Sequence, residues 1–273
     1  MKVVLFCGGQ GLRLRDYSEN TPKPMVPIGN RPIMWHLMKY YAHFGHTDFI
    51  ICLGHKADVI KSYFRNYDEC VSNDFVIARG GRVKMLGRDI DDWNITFVDT
   101  GYDSNIGQRL MQVKEHIGDD EMFLANYSDN LTDVPMTTLI DHAKKQNKIA
   151  SFLSVQPSSS FHLVQSDETG KVKDIVGATE AGLWINGGFF VLKREIFDHI
   201  KWGEELVIEP FRKLIGMDQL TTYRHNGFWA CMDTFKEKMT LDDRWSKGNA
   251  PWLVWNEAQK KRVETLKKNG TAK

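Results

Sequence analysis

The stretch Val3-Val4-Leu5-Phe6-Cys7-Gly8-Gly9-Gln10-Gly11-Leu12-Arg13-Leu14 decides the fold. Its unbroken apolar run, with β-branched members, has the pattern of a central strand covered on both faces, and glycines follow at once. A strand running into a glycine loop lets backbone N–H groups approach a phosphate closely, because glycine has no Cβ and accepts positive φ. Arg13 adds a permanent charge with a rigid donor fork suited to phosphate oxygens. The loop is not a P-loop, since no Gly-Lys-Ser or Gly-Lys-Thr follows, and it departs from the dinucleotide fingerprint because Leu14 replaces the last glycine.

Working outward, the strand pattern recurs over 48–53, 93–98, 122–127 and 149–155, separated by helical stretches such as 32–44 and 57–67. This alternation predicts an α/β fold: a Rossmann-like mixed, mostly parallel sheet flanked by helices, with ligands bound beyond the carboxyl ends of the strands. The second half changes character. Residues 161–176 read as a hairpin turning at Asp167-Glu168-Thr169-Gly170, and 184–192 as one strand with a double glycine, Gly187-Gly188, inside it. After Asp233 the pattern is helical, with Met239, Leu241, Trp245, Trp252 and Trp255 as apolar anchors before a lysine-rich tail.

With 273 residues, 42% of them hydrophobic, the chain is long enough to bury a sizeable core. Its 36 basic and 35 acidic side chains leave a net charge of +1, so no basic excess points to nucleic acid or to an anionic membrane. An anionic substrate must therefore be held by local groups. Cys7, Cys52, Cys70 and Cys231 show no CxxC spacing and read as reduced thiols, and Gly8 and Gly9 end the first apolar run too early for a signal peptide or membrane span. The expectation is a cytoplasmic protein.

A second segment, Thr21-Pro22-Lys23-Pro24-Met25-Val26-Pro27-Ile28, places one lysine between prolines that fix φ and stiffen the loop that aims it. Together with the glycine loop it resembles the sugar nucleotidylyltransferase family, whose signature is GGxGTRLxPxTxxxPKPxxPxxxxP. The cytidylyltransferase members of that family are also similar at Trp35-His36, at 48–54, at 93–101, at Ile185-Asn186-Gly187-Gly188-Phe189-Phe190 and at Gly227-Phe228-Trp229.

That resemblance implies transfer of CMP from CTP to a phosphorylated acceptor, a sugar 1-phosphate such as glucose 1-phosphate, with release of pyrophosphate and with Mg²⁺ as cofactor. It implies Arg13 and Lys23 as catalytic cations and Asp129 and Asp233 as metal ligands. It further implies Phe6, Gly8, Gly9, Gln10, Gly11, Gly101, Ser104 and Arg109, beside Arg13 and Lys23, as nucleotide-binding residues. Asn186, Gly187, Gly188 and Trp229 are expected at the acceptor, with the glycines letting a substrate lie against the strand. Capping of the following helix is the competing role for Asp233. Residues 1–233 would form the α/β domain, with the acceptor-binding part at about 150–233, and residues 234–273 a C-terminal helical appendage; members of the family commonly form homo-oligomers.

The sequence departs from the pattern in two places. Leu12 replaces the threonine before the loop arginine. The family's Glu-Lys-Pro segment, whose lysine grips the acceptor phosphate, is replaced by Asp174-Ile175-Val176-Gly177-Ala178-Thr179-Glu180. Either Lys171, Lys173 or Lys193 supplies the missing cation, or the acceptor is a non-standard or non-sugar phosphorylated metabolite such as an acyl or amino-acid phosphate. An inactive nucleotide-binding paralogue is the reading from outside enzymology.

Overall fold

The computed structural model describes residues 1–9, 21–157, 162–178 and 180–256. In chain order its first half comprises β1 (Val3–Phe6), β2 (Pro27–Ile28), β3 (Arg31–Pro32), α1 (Ile33–His43), β4 (Asp48–Leu53), α2 (Ala57–Arg65), α3 (Glu69–Ser72), β5 (Phe75–Ile77), β6 (Val83–Met85), β7 (Asn94–Asp99), α4 (Ile106–Gln112), α5 (Lys114–Ile117), β8 (Met122–Tyr127), β9 (Asn130–Thr132) and α6 (Met136–Gln146). The second half adds β10 (Ala150–Val155), β11 (His162–Ser166), β12 (Val172–Gly177), β13 (Ile185–Asn186), β14 (Phe190–Lys193), α7 (Glu209–Gly216), β15 (Leu220–His225), β16 (Trp229–Cys231) and α8 (Phe235–Ser246).

The main sheet runs β13-β10-β14-β8-β1-β4-β7, with β15 paired to β10. Strands β8, β1, β4 and β7 are mutually parallel, and β14 enters antiparallel against β8. This is the mixed, mostly parallel sheet expected from the strand–helix alternation. Strand β1 shows why its apolar run is unbroken: Val3 and Leu5 join a core on one face with α1 and α6, while Val4 and Phe6 join a core on the other with α4, α5 and α7. All four are buried, each contributing on the order of 1.5–3 kcal/mol. The C-terminal helical portion packs on the first of these cores through Leu241 and the fully buried Trp252.

The double glycine corrects the expectation of one strand over 184–192. Ser154 of β10 faces Asn186 while Ala150 faces Leu192, so four steps along β10 match six along its partner. The two extra residues bulge out, with Gly188 at φ 74° and Phe189 at φ 51°, and they split the segment into β13 and β14. The 162–177 hairpin forms as expected, its turn closed by Gly170 N–H donating to Asp167 O at 3.0 Å.

Candidate active site

The parallel strands end along one edge, where a cavity of about 720 Å³ opens. Phe6, Gly8 and Gly9 line it from the end of β1, and Tyr127, Ser128, Asp129 and Asn130 from the end of β8. Facing them, Lys23 leads a short 3₁₀ turn over Lys23–Met25, closed by Met25 N–H donating to Pro22 O at 2.8 Å and anchored by the buried Pro24 and Met25. With φ of Pro22 at −65° and Pro24 in the first turn, the lysine has little backbone freedom and points into the cavity.

Asp129 and Asp233 meet because β9 and β16 pair antiparallel, Asn130 opposite Cys231, with Met232 N–H extending the ladder to Asp129 O at 2.9 Å. The two aspartates therefore flank the same end of one short ribbon. Thr234, not Asp233, caps α8: its hydroxyl accepts from Glu237 N–H, and the Glu237 carboxylate accepts from the N–H groups of Thr234 and Asp233. That leaves the Asp233 carboxylate for the cavity. Lys23 Nζ donates to Asp129 Oδ2 and to Asp233 Oδ1, so one ammonium bridges both carboxylates. Burial depresses the Lys23 pKa, but the two carboxylates outweigh it and hold the ammonium above its ordinary value.

This donor set fits a divalent cation. Two hard carboxylates converge on one point, and the lysine ammonium stands there as an internal cation. The two cavity thiols do not compete. Burial pushes Cys7 up to about 12, and burial with Asp233 and Asp129 does the same to Cys231, so both stay protonated and are poor ligands or nucleophiles.

On the nucleotide side the expected residues fare differently. Gln10, Gly11 and Arg13 lie outside the described residues. Arg109, expected at base and phosphates, lines the cavity, is only 3% exposed and has its guanidinium bonded to the chain itself. Its Nη1 donates to Leu53 O at 3.0 Å, Thr100 Oγ1 at 2.8 Å and Gly101 O at 2.9 Å, and its Nη2 to Gly8 O at 3.1 Å and Tyr102 O at 3.4 Å. Gly101 is thereby part of the arginine's cage and not of the cavity wall, while Ser104 lines the cavity.

The acceptor side is also rearranged. Asn186 and Trp229 line the cavity, with Asn186 Nδ2 donating to the Tyr127 hydroxyl at 3.3 Å and Asn186 Oδ1 accepting from Gly188 N–H at 2.9 Å. Gly187 and Gly188 do not expose backbone to a substrate. Trp229 Nε1 donates to Gly187 O at 2.8 Å, and a Cβ on Gly188 would lie 2.8 Å from Asn130 Nδ2, so protein side chains fill the space the glycines open. None of Lys171, Lys173 and Lys193 lines the cavity. Lys193 is excluded by topology: it pairs with Met122 at the opposite end of β8 and donates to Asn147 Oδ1 at 2.7 Å.

Tyr127, Asn130, Glu205 and Cys231 are among the lining residues that the sequence did not mark as part of the site. Tyr127 and Asn130 bracket Ser128-Asp129 and could have been taken with it. Glu205 has no motif; it comes close because Asn105 Nδ2 donates to Gly203 O at 2.8 Å and Ile106 N–H to Glu205 Oε2 at 3.3 Å.

Comparison with known proteins shows the family. A family model described as nucleotidyl transferase matches residues 2–233. The chain belongs to the nucleotidyl transferase family. The transferase is 39% identical over 261 residues to the glucose-1-phosphate cytidylyltransferase of Salmonella typhi, covering 93% of this chain and 100% of that one. It is 36% identical over 257 residues to the probable glucose-1-phosphate cytidylyltransferase of Bacillus subtilis, with the same coverage. Among solved structures, UDP-glucose pyrophosphorylase from Acinetobacter baumanii superposes with a TM-score of 0.67 at 17% identity, covering 97% of this chain and 99% of that one, which shows a shared fold. Among the described residues, no helix is long and apolar enough to cross a membrane.

Proposed function

We propose that this transferase moves CMP from CTP to a sugar 1-phosphate, with glucose 1-phosphate as the first acceptor to test, and releases pyrophosphate. The observation that carries the reading is the convergence of Lys23, Asp129 and Asp233 beside a glycine loop at the carboxyl edge of the sheet. The cytidylyltransferase relatives, matched over their whole length, support the choice of CTP and of a glucose 1-phosphate-like acceptor.

An oxygen of the acceptor phosphate attacks the α-phosphorus in line. That P–O bond forms as the bond from the α-phosphorus to the α,β-bridging oxygen breaks, and pyrophosphate leaves with the electron pair. The acceptor phosphate is already ionised at neutral pH, so no general base is needed. Lys23 and Arg13 neutralise the triphosphate. Phe6 and the glycine loop, with Ser104, hold the nucleotide; Asn186 and Trp229 hold the acceptor, joined by Tyr127. Asp129 and Asp233 would hold Mg²⁺, which when bound supplies positive charge at the α-phosphate and at the departing pyrophosphate.

The catalytic unit is taken as 1–233, with 234–273 appended to it, and the chain as a homo-oligomer; the exposed Val76, Ile77, Val83 and Leu86 of the β5–β6 hairpin offer apolar surface for such an assembly. Lys23 is the one lysine lining the cavity among the described residues, which favours a second reading in which the acceptor is a phosphorylated metabolite other than a sugar. Pyrophosphate release with CTP, UTP, GTP and dTTP against a panel of phosphorylated acceptors separates the readings. Glucose 1-phosphate should be the best acceptor with CTP, and Asp129→Asn should lose at least about a hundredfold in turnover while melting as a folded protein; near-normal turnover in that variant would refute the site.

A further inference from the structure

The two carboxylates that meet at Lys23 sit at one end of the short β9–β16 ribbon. So small a ribbon does not fix its own register, because two isolated strands are marginally stable in water. Register matters here. Trp229, Cys231 and Asp233 alternate along β16 and just past it and line the cavity, while Ala230 and Met232 pack on the core behind. A slip of one residue would exchange the two sets and take Asp233 out of the cavity.

At the cavity end the register is held by Met232 N–H on Asp129 O and by the shared lysine. The opposite end is closed by residues that do not line the cavity. Asp133, directly after β9, accepts on Oδ1 from His225 Nε2 at 2.7 Å and from Phe228 N–H at 2.9 Å. Its own N–H donates to Phe228 O at 3.2 Å, and the Thr132 hydroxyl donates to the same oxygen at 2.8 Å. His225 is the last residue of β15, which pairs with β10 of the main sheet from Leu220 through His225. The turn between them is tight: a Cβ on Gly227 would lie 2.5 Å from His225 Nε2 and 2.6 Å from Asp133 Oδ1. One carboxylate–imidazole pair thus passes the register of the large sheet to the small ribbon. In the proposed reaction Lys23 turns from the aspartates to the triphosphate, which removes the clamp at the cavity end and leaves two carboxylates that repel. The far end must then hold the ribbon.

We propose that Asp133 and His225 are positioning residues for the metal ligands: they lock the β9–β16 register so that Asp233 stays beside Asp129 when Lys23 is withdrawn. The inference rests on the assignment of those two aspartates as Mg²⁺ ligands.

Lys23→Met supplies the withdrawn state, since no ammonium then competes for the two carboxylates. In that background, without nucleotide, Mn²⁺ binding is followed by loss of the free-ion paramagnetic resonance signal. Adding Asp133→Ala should weaken it about tenfold, in a protein that still melts cooperatively. Asp133→Asn, which keeps an acceptor oxygen for both donors but not the charge, should stay within about twofold of the background. With Lys23 in place, Asp133→Ala should raise the Mg²⁺ concentration for half-maximal pyrophosphate release about tenfold, and saturating Mg²⁺ should return turnover to within about twofold of the wild type. Unchanged Mn²⁺ affinity in the folded Asp133→Ala protein, Asp133→Asn as weak as Asp133→Ala, or turnover that Mg²⁺ does not restore would each overturn the proposal. Should Asp133→Ala fail to fold, His225→Leu decides: it cuts only the tie to β15 and should weaken Mn²⁺ about threefold, and unchanged affinity would overturn the lock. Asp233→Asn is the control for the reading beneath: Mn²⁺ affinity unchanged in that variant, or no Mn²⁺ binding to the background protein, would refute the metal ligands themselves.

Discussion

Replacing Lys23 with methionine keeps the side chain's length and removes the ammonium that bridges Asp129 and Asp233. Two carboxylate oxygens that share one nitrogen lie about 4 Å apart, where like charges repel by about 4 kcal/mol at an effective dielectric of 20. The aspartate side chains are 21% and 34% exposed, so solvent and salt reduce this to about 1–2 kcal/mol. For a chain of this size that is a fall in Tm of about 2–5 °C. Without nucleotide, Mg²⁺ or Mn²⁺ should return most of the loss in Lys23→Met and raise the wild-type Tm less, because in the wild type the metal has to displace an ammonium already present. The Lys23 pKa is raised in the folded protein, so its contribution is complete below the unfolded value near 10.5 and is lost only as pH rises through the higher folded value. The deficit of Lys23→Met should therefore be constant from pH 6 to 9. Thermal melting with and without metal measures all of this. A variant that melts with the wild type and gains nothing from metal would show that the carboxylates do not share one cation.

Gly107→Ala should be costly for a simple steric reason. Its Cβ would lie 2.2 Å from the Glu204 carbonyl oxygen, and backbone cannot move aside as a side chain can. A loss of about 1–3 kcal/mol is expected, read as a lower melting temperature, and an unchanged Tm would mean that 203–206 does not pack on α4 as described. His36 supplies a pH test. Its ring is 2% exposed, Nε2 lies 3.0 Å from Ile28 O, and burial lowers its pKa from 6.5 to about 4. Above pH 6.5 the ring is neutral folded or unfolded; below it the unfolded chain takes up a proton that the folded chain refuses until about pH 4, so stability falls by about 1.4 kcal/mol per unit across that window. His36→Gln should flatten the wild-type decline in Tm between pH 6.5 and 4, and parallel declines would refute the assignment.

Much of the parallel sheet was legible because its strands are covered on both faces, which makes Val3–Phe6 and Asp48–Leu53 read as apolar runs ended by polar or glycine punctuation. The aim of Lys23 was legible too, since proline restricts the backbone whatever the rest of the fold does. Arg109 was not. A lone arginine on a short helix carries no local mark of burial, and its cage consists of carbonyls, which every residue has. The split at Gly187-Gly188 was hidden because a double glycine does not say how many residues its partner strand spends opposite it. The role of Asp233 was closer to readable than it first appears. Thr234 followed three residues later by Glu237 is a capping-box pattern, and it releases the preceding aspartate from capping.

The ribbon formed by β9 and β16 is only three residue pairs long, yet through it Lys23 grips an aspartate 210 positions further along the chain. Closing so long a loop has an entropic cost that must be met before the short ribbon returns anything. During synthesis β1, β4, β7 and β8 are all made before Trp229, so a chain stopped short of β16 has Lys23 and Asp129 but not the second aspartate that shares the ammonium. A fragment ending before β16 would lack the ribbon that brings Asp233 to Lys23.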